Sequence, residues 1–544
     1  MDFFNFLKNE TNLFDVKLVG LYALSAITNF TMIAVIVVGL LFPAAKNPTS
    51  FSLFAGSLVV FIISRKYAMD HSSTIIEGVI TELRVRMCDK IRQAELISFE
   101  RIREGYFLNL LTQETTTISE AAKKIVDLFS SAILLIIAFG YIAYISFPSF
   151  LTVVGYIVIG IRIYMIKRAA IEGDLIAAFD REKGYFDYLL HLLDGFKEIK
   201  INGQKSDDLY HNYLEATALD TRQLKITAYS KLNNMQIFAQ LFCFILMAVM
   251  VFLFPQFVPI HYLVLLQIIA MLMFINSGPL QDVVGAFPHI ERANLAIQKM
   301  QALATELEAM TQEEFLWEPG FPRKAFQSLK CSNLRFAYRQ EDSEEPQFAI
   351  GPFNFNIRRG EIVFIMGGNG EGKSTFLKVL TGLYSPSGGN IFLNGKKVIR
   401  GKMAGYRNYF SIIFQDMHLF DRLYGVGEIN LDEADKLLEQ MHLDDKTAIE
   451  EDGRFENIQL STGQKKRLAL IVAELDNRDI YVFDEWATDQ DTVFRKYFYE
   501  EYLPDLKQRG KTIIAVTQDD KYYGMADRVY KMDYGQLTEV PRGW

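Results

Sequence analysis

The sequence predicts two unlike parts on one chain: a membrane α-helical bundle of six transmembrane helices, then an α/β domain built around a phosphate-binding loop. Three observations predict it. Residues 1–310 hold four charge-free stretches, two of them long enough to be crossed twice. A β-branched run, Ile362–Met366, enters a glycine-rich turn and then an apolar helix. A second apolar run, Ile480–Phe483, ends in the paired carboxylates Asp484 and Glu485. The 544 residues exceed what one core organises, so two or three domains are expected. An apolar content of 50% with 13% aromatics suits a membrane part joined to a water-soluble part better than either alone.

The spans follow in order. Val19–Phe42 is uncharged for 24 residues, a helix of about 36 Å against a hydrocarbon core of about 30 Å. Asn47–Ser64 gives a second, shorter span, placed at 47–66. Leu128–Ile161 is uncharged for 34 residues, and the polar break Ser146-Phe147-Pro148-Ser149 divides it into spans at 126–146 and 148–168. Leu232–Gln281 is uncharged for 50 residues and is broken by Pro255 and Pro259, giving spans at 232–254 and 259–281. The connections Arg65–Lys124 and Lys167–Lys231 each carry ten Lys/Arg. The turns at 146–149 and 255–261 carry none, and the turn at 43–50 carries only Lys46. This bias places both termini in the cytoplasm. The two long connections read as helical hairpins reaching far beyond the bilayer, with tips near Ser98–Leu111 and Gly203–Tyr213. The transmembrane domain is set at 1–315 and the soluble domain at 316–544.

Composition excludes several classes. A formal charge of -8 argues against a nucleic-acid partner, which needs a basic face. Cys88, Cys243 and Cys331 have no CxxC spacing, so neither a disulfide framework nor a common zinc site is present, and each reads as a small buried hydrophobe. The acidic N-terminus lacks the layout of a cleaved signal peptide.

The chemistry sits in the second domain. In Gly367-Gly368-Asn369-Gly370-Glu371-Gly372-Lys373-Ser374-Thr375, glycines let backbone N–H groups converge on phosphates at a helix N-terminus. Lys373 supplies a fixed positive charge and Ser374 a hydroxyl for Mg²⁺. Asp484 would hold the Mg²⁺ through water, and Glu485 would orient and activate the attacking water.

Leu460-Ser461-Thr462-Gly463-Gln464, 20 residues before the second strand, resembles the LSGGQ signature of ABC cassettes, with Thr462 in place of the first glycine. The resemblance covers about Ser328–Val540. It implies that Ser461, Gly463 and Gln464 face the γ-phosphate of ATP bound to the opposite subunit, so that two ATP molecules lie between two chains of a homodimer. It further implies that Gln415 touches Mg²⁺ and senses the membrane domain, that Tyr338 stacks on adenine, and that Asp489 lies at the subunit contact. Where the family carries its switch histidine, this chain has Gln518, which can donate a hydrogen bond but has no titratable charge. Two readings stand: the natural protein tolerates glutamine there, or the residue was altered to slow hydrolysis. Either way Gln518 is expected to lower turnover while ATP still binds.

Six spans followed by a cassette resemble bacterial half-size exporters. The segment Gly184–Asn202 and the acidic insert Arg339–Glu345 resemble cyclic-peptide and siderophore exporters of Gram-negative bacteria. That resemblance implies ATP-driven export of a cyclic or modified peptide across the inner membrane, with membrane lipids around the spans. A lipid or multidrug exporter, and an ATP-gated membrane regulator that transports nothing, remain as alternatives. Asn29, Gln236, Gln240, Gln267, Asn276 and Arg162 are polar positions in the spans. Such residues face a cavity, bond between helices or, for arginine, snorkel to the surface.

Overall fold

The computed structural model describes residues 3–10, 15–42, 47–100, 102, 104–310, 325–338, 348–427 and 429–541. The acidic insert at 339–345, residues 43–46 of the turn at 43–50, the boundary at 315/316 and the side chain of Gln236 lie outside the described residues. The chain divides into two compact units: Met1–Cys88 with Glu104–Thr305, and Asp89–Arg103 with Glu306–Trp544.

The first unit is helical. Val16–Leu41, Pro48–Gln93, Gly105–Ile145, Gly203–Phe257 and Tyr262–Glu308 are long and apolar enough to cross a membrane, and Phe147–Ile163 is a shorter apolar helix. Ser146 caps the helix Phe147–Asp194, its side chain accepting from the Ser149 N–H, with proline in the first turn. Ala138, Ile142, Cys243, Leu246, Met250, Ile268 and Leu272 share one buried cluster. Leu40, Phe51, Ile136 and Phe252 are more than two-thirds exposed, an outward apolar surface suited to lipid rather than water. The Tyr22 hydroxyl donates to the Ala68 carbonyl and meets Ser72, both across to the next helix. Arg65 pairs with Asp127 at 3.1 Å.

Four sequence expectations shift. The second reversal lies at Gly195–Asn202, because Gly195 ends one helix and the Asn202 side chain caps the next by accepting from the Lys205 N–H. Residues 203–213, expected at the tip, are already helical, and their polar side chains form a solvated face. The first reversal likewise starts earlier than 98, at Ala94 and Glu95, followed by the short helix Leu96–Phe99. The last apolar helix starts at Tyr262, breaks at Gly278 before Pro279 and resumes to Met310, as a residue preceding proline disfavours helix. Cys88 is exposed, contrary to expectation, whereas Cys243 and Cys331 are buried.

The second unit holds strands β1 (Ser328–Tyr338), β2 (Phe348–Arg358), β3 (Ile362–Met366), β4 (Gly388–Leu393), β5 (Lys396–Lys397), β6 (Phe410–Ile413), β7 (Ile480–Asp484), β8 (Thr512–Val516), β9 (Arg528–Asp533) and β10 (Gln536–Val540). An antiparallel sheet runs β2-β1-β4-β5. A second sheet runs β10-β9-β3-β8-β7-β6 and is parallel except at β10. β7 and β8 are buried along their whole length, which explains their unbroken apolar sequence. Successive side chains serve opposite faces: Ile362, Phe364, Tyr481 and Phe483 enter one core, Val363, Ile365, Ile480 and Val482 the other. Each such side chain contributes about 1.5–3 kcal/mol of burial. The parallel strands β3, β7 and β8 deliver their carboxyl ends, and the residues that follow them, to one edge, where α/β sheets bind ligands.

Candidate nucleotide site

β3 runs into the phosphate loop, which returns as the helix Lys373–Leu380. Gly372 holds φ 100°, and a Cβ there would lie 2.8 Å from Ile350 and 3.0 Å from Phe348. Only glycine admits this conformation at this approach. The loop braces itself: the Glu371 carboxylate accepts from the Gly368 N–H at 2.6 Å, and the Lys373 ammonium donates to the carbonyls of Gly367 and Gly368 at 2.9 and 2.8 Å. Tyr338, Phe348, Asn369, Gly370, Gly372, Lys373, Ser374, Thr375, Gln415 and Glu485 line one cavity of about 770 Å³.

Asp484 ends β7, and Glu485, the next residue, lines this cavity. Lys373 lies 3.2 Å from the Glu485 carboxylate, with both side chains more than nine-tenths buried. Glu485 has φ 49°, a left-handed conformation that costs a non-glycine residue about 1–3 kcal/mol and persists only where surroundings enforce it. Its N–H donates to the Val516 carbonyl and its own carbonyl accepts from the Lys466 ammonium at 3.2 Å. Burial pushes the Asp484 carboxyl above the ordinary aspartate range. The Ser374 hydrogen bond and Lys373 oppose the rise, while the Glu485 and Asp416 carboxylates add to it. Asp484 is 2% exposed, and its Oδ1 is buried without a hydrogen-bond partner. An unsatisfied oxygen beside the Ser374 hydroxyl, with the Gln415 amide on the same cavity, is an all-oxygen set. It suits Mg²⁺, which keeps several waters and is shared with phosphates.

An aromatic wall stands at the other end. β1 and β2 pair Tyr338 with Phe348, so both rings reach the cavity. The Tyr338 hydroxyl lies 3.3 Å from the Thr375 hydroxyl and 3.4 Å from that of Tyr384. Buried Tyr384 donates to the Glu100 carboxylate, which also receives the Lys378 ammonium at 2.8 Å. Residues 89–103 belong to this compact unit, and Leu96 and Ile97 pack on its core. The hairpin tip is therefore bonded to the same helix and tyrosine pair that shape the cavity.

The helix Thr462–Asp476 starts in a capping box: Ser461 accepts from the Gln464 N–H, and Gln464 accepts from the Ser461 N–H. Accepting leaves the exposed Ser461 hydroxyl proton free to donate outward. A Cβ on Gly463 would lie 2.7 Å from the Asp489 carbonyl, so glycine is required by close approach. The Asp489 carboxylate pairs with the Lys466 ammonium at 2.7 Å. Ser461, Gly463, Gln464 and Asp489 do not line the cavity of their own chain.

Comparison with known proteins decides the family. Residues 350–488 match the family model described as ABC transporter. The ATP-binding protein SyrD of Pseudomonas syringae pv. syringae is 30% identical over 498 residues, covering 89% of this chain and 87% of that protein. The chain belongs to the ABC transporter family. It is a half-transporter of the exporter type, an ATPase coupled to transport. A solved structure, a bacterial Atm1-family ABC exporter with ATP bound, superposes with a TM-score of 0.75 over 98% of this chain and 95% of that one, at 16% identity, and so shares its fold. The macrolide export ATP-binding/permease protein MacB of Vibrio parahaemolyticus serotype O3:K6 is 30% identical over 226 residues, 38% of this chain and 33% of its own length. The subtilin transport ATP-binding protein SpaT of Bacillus subtilis is 26% identical over 229 residues, 39% and 36% of the two chains.

In this exporter, Gln518 follows β8 and donates to the Glu485 carboxylate and to the Asn369 side-chain oxygen, each at 3.0 Å. Its flanks are anchored: Tyr499 bonds Thr517 and Asp519, and Arg495 pairs with Asp519. The structure thus gathers Tyr338, Asn369, Gly370, Gly372, Lys373, Ser374, Thr375, Gln415 and Glu485 around one cavity. Gly367 and Glu371 shape its loop, Asp484 lies behind Ser374, and Gln518 bonds Glu485. Sequence reasoning missed Phe348 and Lys466. Strand pairing opposite Tyr338 points to the first. The second had only a signal of position, two residues past the signature.

Proposed function

We propose that two copies of this chain form a homodimeric inner-membrane pump that exports a cyclic or modified peptide from cytoplasm to periplasm, with both termini cytoplasmic. The observation that carries the dimer is the exposed Ser461 turn, built to donate to an anion yet absent from its own chain's cavity. A second copy places that turn over the phosphates held by the first. Tyr338 and Phe348 take the adenine; the loop N–H groups and Lys373 take the phosphates. When bound with the nucleotide, Mg²⁺ would be held by Ser374, Asp484 and Gln415 and would supply charge neutralisation of the phosphate oxygens. Glu485 orients water in line with the γ-phosphate, and Gln518 supplies a hydrogen bond where the γ-phosphate lies. Positioning and charge stabilisation dominate such a transfer. ATP then closes the two cassettes, the hairpin tips pass that closure to six spans per chain, and hydrolysis reopens them.

The peptide class is supported by the resemblance of Gly184–Asn202 to cyclic-peptide and siderophore exporters and by a relative named for subtilin transport. The relative named for macrolide export favours the second reading, a multidrug exporter on the same scaffold. ATP-dependent uptake of labelled peptides into inverted membrane vesicles tests the proposal. Uptake that requires ATP and Glu485 supports it. Stimulation of ATPase by macrolides or lipids with no peptide uptake favours the second reading, and ATP turnover without movement of any solute favours a regulator.

A further inference from the structure

Lys466 is a charge in the wrong place for an ordinary lysine. It is 1% exposed, and a buried ammonium is tolerated only when paired and hydrogen-bonded. Its partners are specific. The ammonium pairs with the Asp489 carboxylate at 2.7 Å and donates to the Glu485 carbonyl at 3.2 Å. Its own carbonyl accepts from the Trp486 indole N–H at 2.9 Å. One residue therefore grips the segment 485–489 at three points, on the carbonyl of the left-handed Glu485, on the next side chain and on Asp489. It does so from the helix that begins with the Ser461 turn, two residues beyond Gln464.

We propose that Lys466 is a positioning residue for ATP hydrolysis: it holds the Glu485 peptide so that the carboxylate points into the cavity, and ties that setting to the signature helix. The inference rests on Glu485 being the group that orients water. The geometry gives the ammonium no route to nucleotide, since Lys466 does not line the cavity. Its effect is therefore on the rate of chemistry and not on ATP affinity. A shift of the base by a fraction of its reach costs about ten- to a hundredfold in rate. The placement also lets movement of the Ser461 turn reach Glu485 through a single side chain, so hydrolysis on one chain follows engagement of its own turn by the partner's nucleotide.

Three variants of the full-length chain in lipid nanodiscs test it, with kcat, KM for ATP, metal-free ATP affinity and thermal midpoint measured for each. Lys466→Met keeps the buried stem and removes the charge. It is expected to lower kcat about ten- to a hundredfold, with KM and ATP affinity within about twofold. Lys466→Gln, whose amide can donate to both acceptors, is expected to recover most of that loss. Glu485→Gln tests the underlying reading and is expected to abolish turnover while ATP binds. If Glu485→Gln is inactive and Lys466→Met hydrolyses like the parent, the positioning role is overturned and the base reading stands. If Glu485→Gln turns over normally, the base reading itself falls. A parallel fall of kcat and ATP affinity in Lys466→Met, unrescued by glutamine, shows a merely structural lysine and also overturns the proposal. Should the methionine variant not fold, Trp486→Phe removes the indole donor from the same clamp. A lower kcat at constant KM supports the role, and no change or an equal loss in both overturns it.

Discussion

At the scale of single residues, the site is defined by which charges are buried together. Lys373 faces Glu485, and Gln518 reaches Glu485 and Asn369 without a titratable proton. A histidine at 518 would add an acid-base group with an ordinary pKa of about 6.5. Gln518→His is therefore expected to raise turnover and to give the rate an inflection near that pH, which the glutamine form lacks. Steady-state ATPase from pH 5.5 to about 8 checks this, and matching rates and profiles would remove the idea. Asp484 supplies a second pH effect. Burial raises its carboxyl above the ordinary value of 3.8, and metal binding needs the ionised form. As pH falls, protonation starts to compete with Mg²⁺ earlier than at an ordinary aspartate. The advantage of Mg-ATP over metal-free ATP is predicted to shrink on acidification at a higher pH than an ordinary aspartate would give, and an Asp484→Asn variant to show little advantage at any pH. Isothermal titration with and without the metal measures both.

At the scale of elements, two joints have no counterpart in local sequence pattern. The hairpin tip Leu96–Phe99 lies in the compact unit of the cassette, and Glu100 bonds Tyr384 and Lys378 there. Tyr384→Phe removes one bond to a charged partner, worth about 1.5–3 kcal/mol. Faster amide exchange at 95–100 and less transport per ATP hydrolysed are expected, with ATP affinity unchanged; unaltered exchange contradicts this joint. The second joint is the approach of the Asp489 carbonyl to Gly463. Gly463→Ala forces a displacement of that carbonyl, and slower hydrolysis with intact binding is expected in a nucleotide-binding and turnover comparison. These joints mark the limit of what sequence revealed. β3, β7, the phosphate loop and the apolar helices were legible because each depends on residues adjacent in the chain. Phe348, Lys466 and the Glu100–Tyr384 contact were not, since each forms between segments remote in sequence. The tip expected at Gly203–Tyr213 falls instead at Gly195–Asn202, because polar composition does not distinguish a solvated helix face from a turn, whereas one glycine and one capping asparagine make the turn.

At the scale of the whole molecule, one chain carries both halves of an ATP cage but does not bring them together. Its cavity holds Lys373, Ser374 and Glu485, whereas the Ser461 turn lies outside that cavity. The account therefore requires that each site be composite, with the loop of one copy and the turn of the other. Covalently linked dimers carrying Lys373→Ala and Ser461→Arg separate this from any alternative. With Lys373→Ala on one copy and Ser461→Arg on the other, both lesions fall in the same composite site and the second site stays whole. With both lesions on one copy, each site is damaged once. ATPase of the two linked dimers is the direct measurement. The account predicts substantial turnover in the first and little in the second. The reverse order, with activity surviving when both lesions share a copy, would contradict it.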